Sequence, residues 1–219
     1  MTMTPSALCD LSGKTALVTG GATGIGRMAT TGLMAAGARV LIASRKGEAC
    51  VAVSTALNSL GLSGTAEGFG GDVSSEAGIA ALCQEVAQRT DKLDILINNA
   101  GRTWGAPLGH FPFEAWEKVM TLNIAGMFHL TQSLLPLLSA AATDDNPARV
   151  VNTGSVMGEV PMGDKVYSYA VSKAGVHHMT RILAKDLAPR RITVNALAPG
   201  PFPSKMTAFA VEQDDDADW

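Results

Sequence analysis

Short runs rich in Val, Ile, Leu and Ala alternate with longer amphipathic segments along most of the chain. The short runs are Thr15–Thr19, Arg39–Ser44, Thr65–Phe69, Asp94–Asn98, Arg149–Thr153 and Ile192–Ala198. Apolar character on both sides of each run fits strands covered on two faces. The longer segments, Ile25–Ala36, Glu48–Leu60, Ser75–Thr90, Phe113–Ala140 and Ser168–Leu187, read as helices. Gly37 and Gly61 stand where C-terminal caps belong, and Ser74 or Ser75 can open the third helix. Strict β-α alternation predicts an α/β fold, a parallel sheet with helices on both faces. With 219 residues and no repeat, low-complexity stretch or linker, one domain over 1–219 is expected.

Charge and cysteine content narrow the function. Net charge is −3 with no basic block, which argues against binding a nucleic-acid backbone. Cys9, Cys50 and Cys83 are odd in number and far apart, so they read as free thiols of a reducing cytoplasm. The start, MTMTPSALCD, lacks a secretion signal, and no apolar stretch is long enough to span a bilayer. The four histidines show no metal-ligand spacing, so no metal is expected.

After the first strand comes TGGATGIG, Thr19 to Gly26. Gly20, Gly24 and Gly26 sit at a strand-to-helix turn where absent side chains let backbone amides approach a pyrophosphate. Thr23 and Ile25 belong to the same turn, and the following helix aims its positive end at the anion. Two rival motifs fail. GKT at 13–15 precedes the strand and has Leu8 where a phosphate-binding loop needs glycine. TGSVMG at 153–158 has Thr153 and Met157 at both glycine positions of a nucleophile elbow. At the end of the second strand stand Ser44, Arg45 and Lys46 where an acidic residue would read a free ribose hydroxyl. Arg45 can pair a 2′-phosphate in bidentate fashion and Lys46 adds charge, so NADPH is the expected cofactor.

YSYAVSK, residues 167–173, holds both tyrosines of the chain. Residues four apart share a helix face, so Tyr169 and Lys173 become neighbours while Tyr167 falls elsewhere. An isolated Tyr-x-x-x-Lys is more often an exposed helical pair. Here it follows TGGATGIG, NNAG at 98–101, Asn123 and Ser155, and precedes PG at 199–200. In that order the set resembles the short-chain dehydrogenase/reductase family, from about Gly13 to Met206. More narrowly, NNAGRTWGAPL, WEKVMTLNI, NPARVVNTGSVMG and APGPFPSKMT resemble β-ketoacyl reductases of the bacterial rhamnolipid-pathway type.

The resemblance implies a Rossmann-like fold and assigns roles. Tyr169 would protonate a carbonyl oxygen as hydride arrives, and Ser155 would donate to the same oxygen. Lys173 would hold the nicotinamide ribose and draw the phenol pKa down toward neutrality. Asn123 would anchor a water linking Lys173 to solvent. Asp72 and Val73 would contact adenine. Asn99, Ala100 and Gly101, with Pro199 and Gly200, would complete the cofactor site, and Asn98 would support the sheet. Trp104, Met157, Met162, Phe202 and Phe209 would form an apolar substrate wall. The expected activity is NADPH-dependent reduction of 3-oxoacyl thioesters. Alternatives are a sugar or steroid ketone as substrate, or a dinucleotide-binding protein without turnover. Acyl carrier protein is a doubtful partner, because Arg190 matches one docking position while Asp144 and Asp145 make the other acidic. Members of this family continue through a further helix and a seventh strand, whereas nothing after Val211 reads as strand. The expected strand order is therefore 3-2-1-4-5-6, in a shortened form of a longer enzyme with ITVNALA as an uncovered edge. A dimer through the helices at Phe113–Ala140 and Ser168–Leu187 is expected over the family's tetramer.

Overall fold

The computed structural model of the chain describes residues 9–201. Among the described residues six strands, β1 (Thr15–Thr19), β2 (Arg39–Ser44), β3 (Thr65–Gly70), β4 (Ile95–Asn98), β5 (Ala148–Thr153) and β6 (Ile192–Leu197), form one parallel sheet. Their order is β3-β2-β1-β4-β5-β6, the order that the family resemblance implies. Around it pack α1 (Gly24–Ala35), α2 (Gly47–Asn58), α3 (Glu76–Ala87), α4 (Phe113–Met120), α5 (Met127–Ser133), α6 (Leu135–Ala141) and α7 (Tyr167–Leu187).

Strand β1 lies inside the sheet, with Val18 level with Ile42 on one side and Ile97 on the other. Successive residues point to opposite helical layers. Leu17 and Leu96 join Leu82, Leu130 and Leu183, whereas Val18 and Ile97 join Met34 and Leu57. Both faces are thus apolar, and the strands read as continuous runs instead of alternating ones. Gly37, at φ +97°, ends α1: its N–H donates to Met34 O, and Ala38 N–H donates to Leu33 O. Ser75 is the residue that caps α3, accepting from Gly78 N at 3.2 Å, while Ser74 turns to Asp72.

The single helix expected over Phe113–Ala140 is corrected to three. Thr121–Gly126 is a π turn between α4 and α5, and Leu134 breaks the path before α6. Pro136 lacks an N–H and sits in the first turn of α6, whose axis departs by 55° from Phe113–Ser133. At Gly126 a Cβ would strike the Val73 carbonyl, so glycine permits the π turn to lie against the loop after β3. Among the described residues no single helix is long and apolar enough to cross a membrane.

A buried polar row ties the C-terminal halves of β4 and β5 to the helices. Asn98 Nδ2 donates to Thr131 Oγ1 and Asn152 Oδ1, and Asn152 Nδ2 donates to Thr180 Oγ1, each at 2.9 Å. This joins β4, α5, β5 and α7, and it bears out the supporting role expected of Asn98. Asn152→Ala removes one hydrogen bond from each of two buried partners, Asn98 and Thr180, and is expected to cost about 1–3 kcal/mol, read from the urea midpoint. A change under about 0.5 kcal/mol would show the row to be dispensable.

Among the described residues β6 is an outer strand, with Ile192 and Val194 buried and Thr193, Asn195, Ala196 and Leu197 exposed. The expectations placed on Phe202, Phe209 and the chain from Val211 onward lie outside the described residues.

Candidate active site

All six strands run the same way, so the loops after their C-terminal ends gather along one rim. The strand order reverses between β1 and β4, which is where an open parallel sheet leaves a crevice. The glycine turn sits there. Gly20 adopts φ +66° and Gly24 φ +51°, both costly for residues with a Cβ. Gly26 has no space: a Cβ would collide with Gly20 O and Asn99 Nδ2. Thr23 and Gly24 are exposed at the start of α1, whose first amides face the crevice, and Ile25 is half-buried. The cradle therefore admits a pyrophosphate where side chains would fill it.

Two residues clamp this turn from the neighbouring strand. Thr19 Oγ1 accepts from Asn99 N at 3.0 Å and Ala100 N at 3.1 Å, while Asn99 Nδ2 donates to Thr19 O and Gly20 O. Asn99 thus braces the floor instead of merely lining it. Thr19 carries no expected role from its sequence position; its signal is a hydroxyl placed directly before the glycines.

After β2, Ser44 is used internally. Its Oγ accepts from Lys46 N at 3.2 Å and lies 3.1 Å from Cys50 Sγ, which leaves Arg45 and Lys46 exposed on the turn. The loop after β3 holds Asp72 and buried Val73. Burial would raise the Asp72 carboxyl, but Ser74 N and Oγ at 2.9 and 2.7 Å, helped by the Arg45 charge, pull it below its ordinary value. Arg45 and Asp72 therefore sit on one side of the crevice. Pro199 belongs to the loop after β6, where its carbonyl accepts from Val156 N; exposed Gly200 follows it.

The chemical end is built by β5 and α7. Ser155 follows β5 in extended backbone and caps a short 3₁₀ turn, accepting from Met157 N at 3.2 Å. Tyr169 and Lys173 lie one turn apart on α7, with Lys173 Nζ 5.5 Å from the phenol ring centre. Lys173 is buried and donates to Thr153 O at 2.5 Å. Burial drives its pKa from 10.5 down to about 8. Burial also pushes the Tyr169 phenol above its ordinary value, opposed by a hydrogen bond with Ser155. This corrects the expectation of a phenol drawn toward neutrality. Desolvation acts on phenolate and ammonium alike, and helical spacing carries no measure of it. The consequence is a phenol that keeps its proton.

Asn123 lies in the π turn, not on a regular helix. Its Oδ1 accepts from Arg102 N at 2.9 Å, and its Nδ2 donates to Arg102 O and to Ser172 Oγ at 3.0 and 2.9 Å. These bonds pin the loop after Gly101 to α7 beside Lys173. Both Nδ2 hydrogens of Asn123 are occupied in this way. Trp104 and Met157 are half-buried and Met162 is 40% exposed. Met157 folds over Gly163, and Ala106 N–H donates to Lys165 O, which brings the 102–112 and 159–166 segments together at the mouth. Tyr167, on another face of α7, packs edge-on against Phe111 at 5.7 Å, and Phe111 meets Trp116 at 5.9 Å.

Comparison with known proteins agrees with this geometry. Residues 14–215 match the family model described as short chain dehydrogenase. The chain is 49% identical over 198 residues to the rhamnolipids biosynthesis 3-oxoacyl-[acyl-carrier-protein] reductase of Pseudomonas aeruginosa, covering 90% of this chain and 76% of that one. It is 37% identical over 204 residues to a 3-oxoacyl-[acyl-carrier-protein] reductase of Aquifex aeolicus, covering 93% and 79%. Among solved structures, the Pseudomonas aeruginosa RhlG/NADP active-site complex superposes with a TM-score of 0.88 at 48% identity, covering 96% of this chain and 80% of that chain. The glycine cradle, the Ser155–Tyr169–Lys173 group and these matches together place the chain in the short chain dehydrogenase family, an oxidoreductase acting on alcohols and carbonyls.

Proposed function

We propose that the chain is an NADPH-dependent reductase of 3-oxoacyl thioesters, with Tyr169 as proton donor. The observation that carries this is the meeting of Ser155, Tyr169 and Lys173 at the crevice that the glycine turn opens. NADPH, when bound, supplies the hydride. Its pyrophosphate fits the cradle of Gly20, Gly24 and Gly26, and Arg45 and Lys46 are exposed where a 2′-phosphate needs cations. Asp72, Val73, Asn99, Ala100, Gly101, Pro199 and Gly200 border the same crevice.

The protein's part is proton supply and orientation. Ser155 Oγ donates to the ketone oxygen and fixes it beside Tyr169. Tyr169 then transfers its proton to that oxygen as negative charge develops there, leaving a hydroxyl on the substrate and a phenolate on the enzyme. The Lys173 ammonium, 5.5 Å from the ring centre, stabilises that phenolate. Trp104, Met157 and Met162 at the mouth give an acyl chain an apolar path. Arg191 beside Arg190 is paired with Asp144, which removes one cation from any approach by an acidic carrier protein. Coenzyme A thioesters are therefore the form expected to be reduced more readily.

The test follows NADPH consumption with 3-oxoacyl thioesters of several chain lengths, on coenzyme A and on carrier protein, beside sugar and steroid ketones. Turnover of sugar or steroid ketones with none of any thioester would replace this substrate class. Cofactor choice has its own check. Arg45→Ala removes a charge-assisted pair and is expected to raise the NADPH Kd about 10- to 100-fold, with NADH changed less than about twofold. Equal weakening of both would make Arg45 a structural residue.

A further inference from the structure

His177 follows Lys173 by one helical turn on α7 and is buried, with 7% of its surface exposed. Its Nε2 accepts the main-chain N–H of Ser155 at 3.3 Å. The flanking amides are held by the end of β6 and the loop after it: Gly154 N–H donates to Leu197 O at 2.7 Å, and Val156 N–H to Pro199 O at 3.1 Å. Ser155 is thus the one of three successive residues whose amide is held by a side chain. Gly154 makes room for it, because a Cβ there would collide with Nε2 and Cδ2 of the imidazole.

Acceptance at Nε2 requires a lone pair there, so the ring is neutral and carries its proton on Nδ1. Nδ1 lies 2.6 Å from Glu159 Oε1, inside ion-pair range but out of line for a regular hydrogen bond. The carboxylate favours a proton on that nitrogen. Arg181 Nη2 stands 3.9 Å from the same oxygen and moderates its charge, while Lys173 on the preceding turn is directed to Thr153 O. A proton added at Nε2 would set donor against donor and release the Ser155 amide.

We propose that His177 is a positioning residue for the reduction, holding the Ser155 main chain through Nε2 in the tautomer that Glu159 selects. This rests on the placing of Ser155 at the reacting carbonyl. Aim matters at such a site, since a small displacement of a donor from the developing oxyanion lowers its contribution steeply.

Kinetics and nitrogen NMR test it, with the substrate that the wild type reduces fastest, thioester or not. His177→Leu fills the space without an acceptor and is expected to lower kcat about tenfold, with the NADPH Kd unchanged. His177→Gln restores an oxygen near the Nε2 position and is expected to recover most of that loss. Nitrogen NMR of the wild type at neutral pH is expected to find Nδ1 protonated and Nε2 bare. A protonated Nε2, an unchanged kcat in His177→Leu, or equal losses in Leu and Gln variants would each overturn the proposal. Should His177→Leu fail to fold, the Gln variant and the tautomer still decide. Ser155→Ala measured alongside separates the failures: full activity there would fault the placing of Ser155, and the NMR result would stand by itself.

Discussion

Tyr169→Phe is expected to lower kcat at least a thousandfold while the NADPH Kd stays within about twofold of wild type. Losing a positioned general acid removes roughly 10²–10⁴ in rate, and this one also loses the hydroxyl that meets Ser155. Phenylalanine keeps the ring, so packing on α7 and the nearby cradle are preserved. Tyr167→Phe is the matched control. Its ring packs edge-on against Phe111, a contact that does not involve the hydroxyl, and it is expected to change kcat less than threefold. Steady-state kinetics on both variants, with fluorescence titration of NADPH, give the comparison. Equal losses in the two would remove Tyr169 from its role. A Tyr169→Phe protein that no longer binds NADPH would make the residue part of the cofactor site alone.

The two tyrosines also show what a sequence discloses and what it withholds. Helical register by itself separates Tyr169 from Tyr167, because α7 is a regular helix for 21 residues. Regularity fails in Phe113–Ala140. Apolar periodicity runs through the π turn at Thr121–Gly126, where one added residue per turn leaves no compositional mark except Gly126. That turn places Asn123 where it can clasp Arg102 and Ser172, so its contacts could not be read from helical spacing. The parallel sheet was legible because the central strands, β1 and β4, are apolar on both faces, whereas the strand order came from the family that the ordered motif set resembles. His177 was not: its partner Ser155 lies 22 residues away, and nothing local marks a histidine that serves a backbone amide. Protonation was the other blind spot. Spacing identifies the Tyr169–Lys173 pair, but the balance between attraction and desolvation depends on burial, which arises only when α7 closes over β5 and the loop after β4.

That same burial also sets a stability effect. Lys173→Met is expected to abolish reduction and yet stabilise the cofactor-free protein near neutral pH. Below about pH 8 the folded chain carries a buried ammonium whose only hydrogen-bond partner among the described residues is Thr153 O. A pKa moved from 10.5 to about 8 corresponds to roughly 3 kcal/mol disfavouring the charged folded form. Methionine has similar length and removes this penalty, but it leaves Thr153 O without its donor at a cost of about 1 kcal/mol. The net gain at pH 7 is about 1–2 kcal/mol, several degrees in Tm. The sign with pH is fixed by linkage. Between about 8 and 10.5 the unfolded lysine binds more proton than the folded one, so wild-type stability rises through that window. The advantage of the methionine variant should therefore shrink from pH 7 to pH 10. Thermal unfolding of both proteins at the two pH values, without NADPH, measures it. A variant less stable than wild type at pH 7, or a difference that ignores pH, would mean that Lys173 is not held as a costly buried ammonium. Confirmation would identify Lys173 as a residue kept for chemistry against the interest of the fold: its charge is what steadies the phenolate of Tyr169, and the protein is less stable for holding it there.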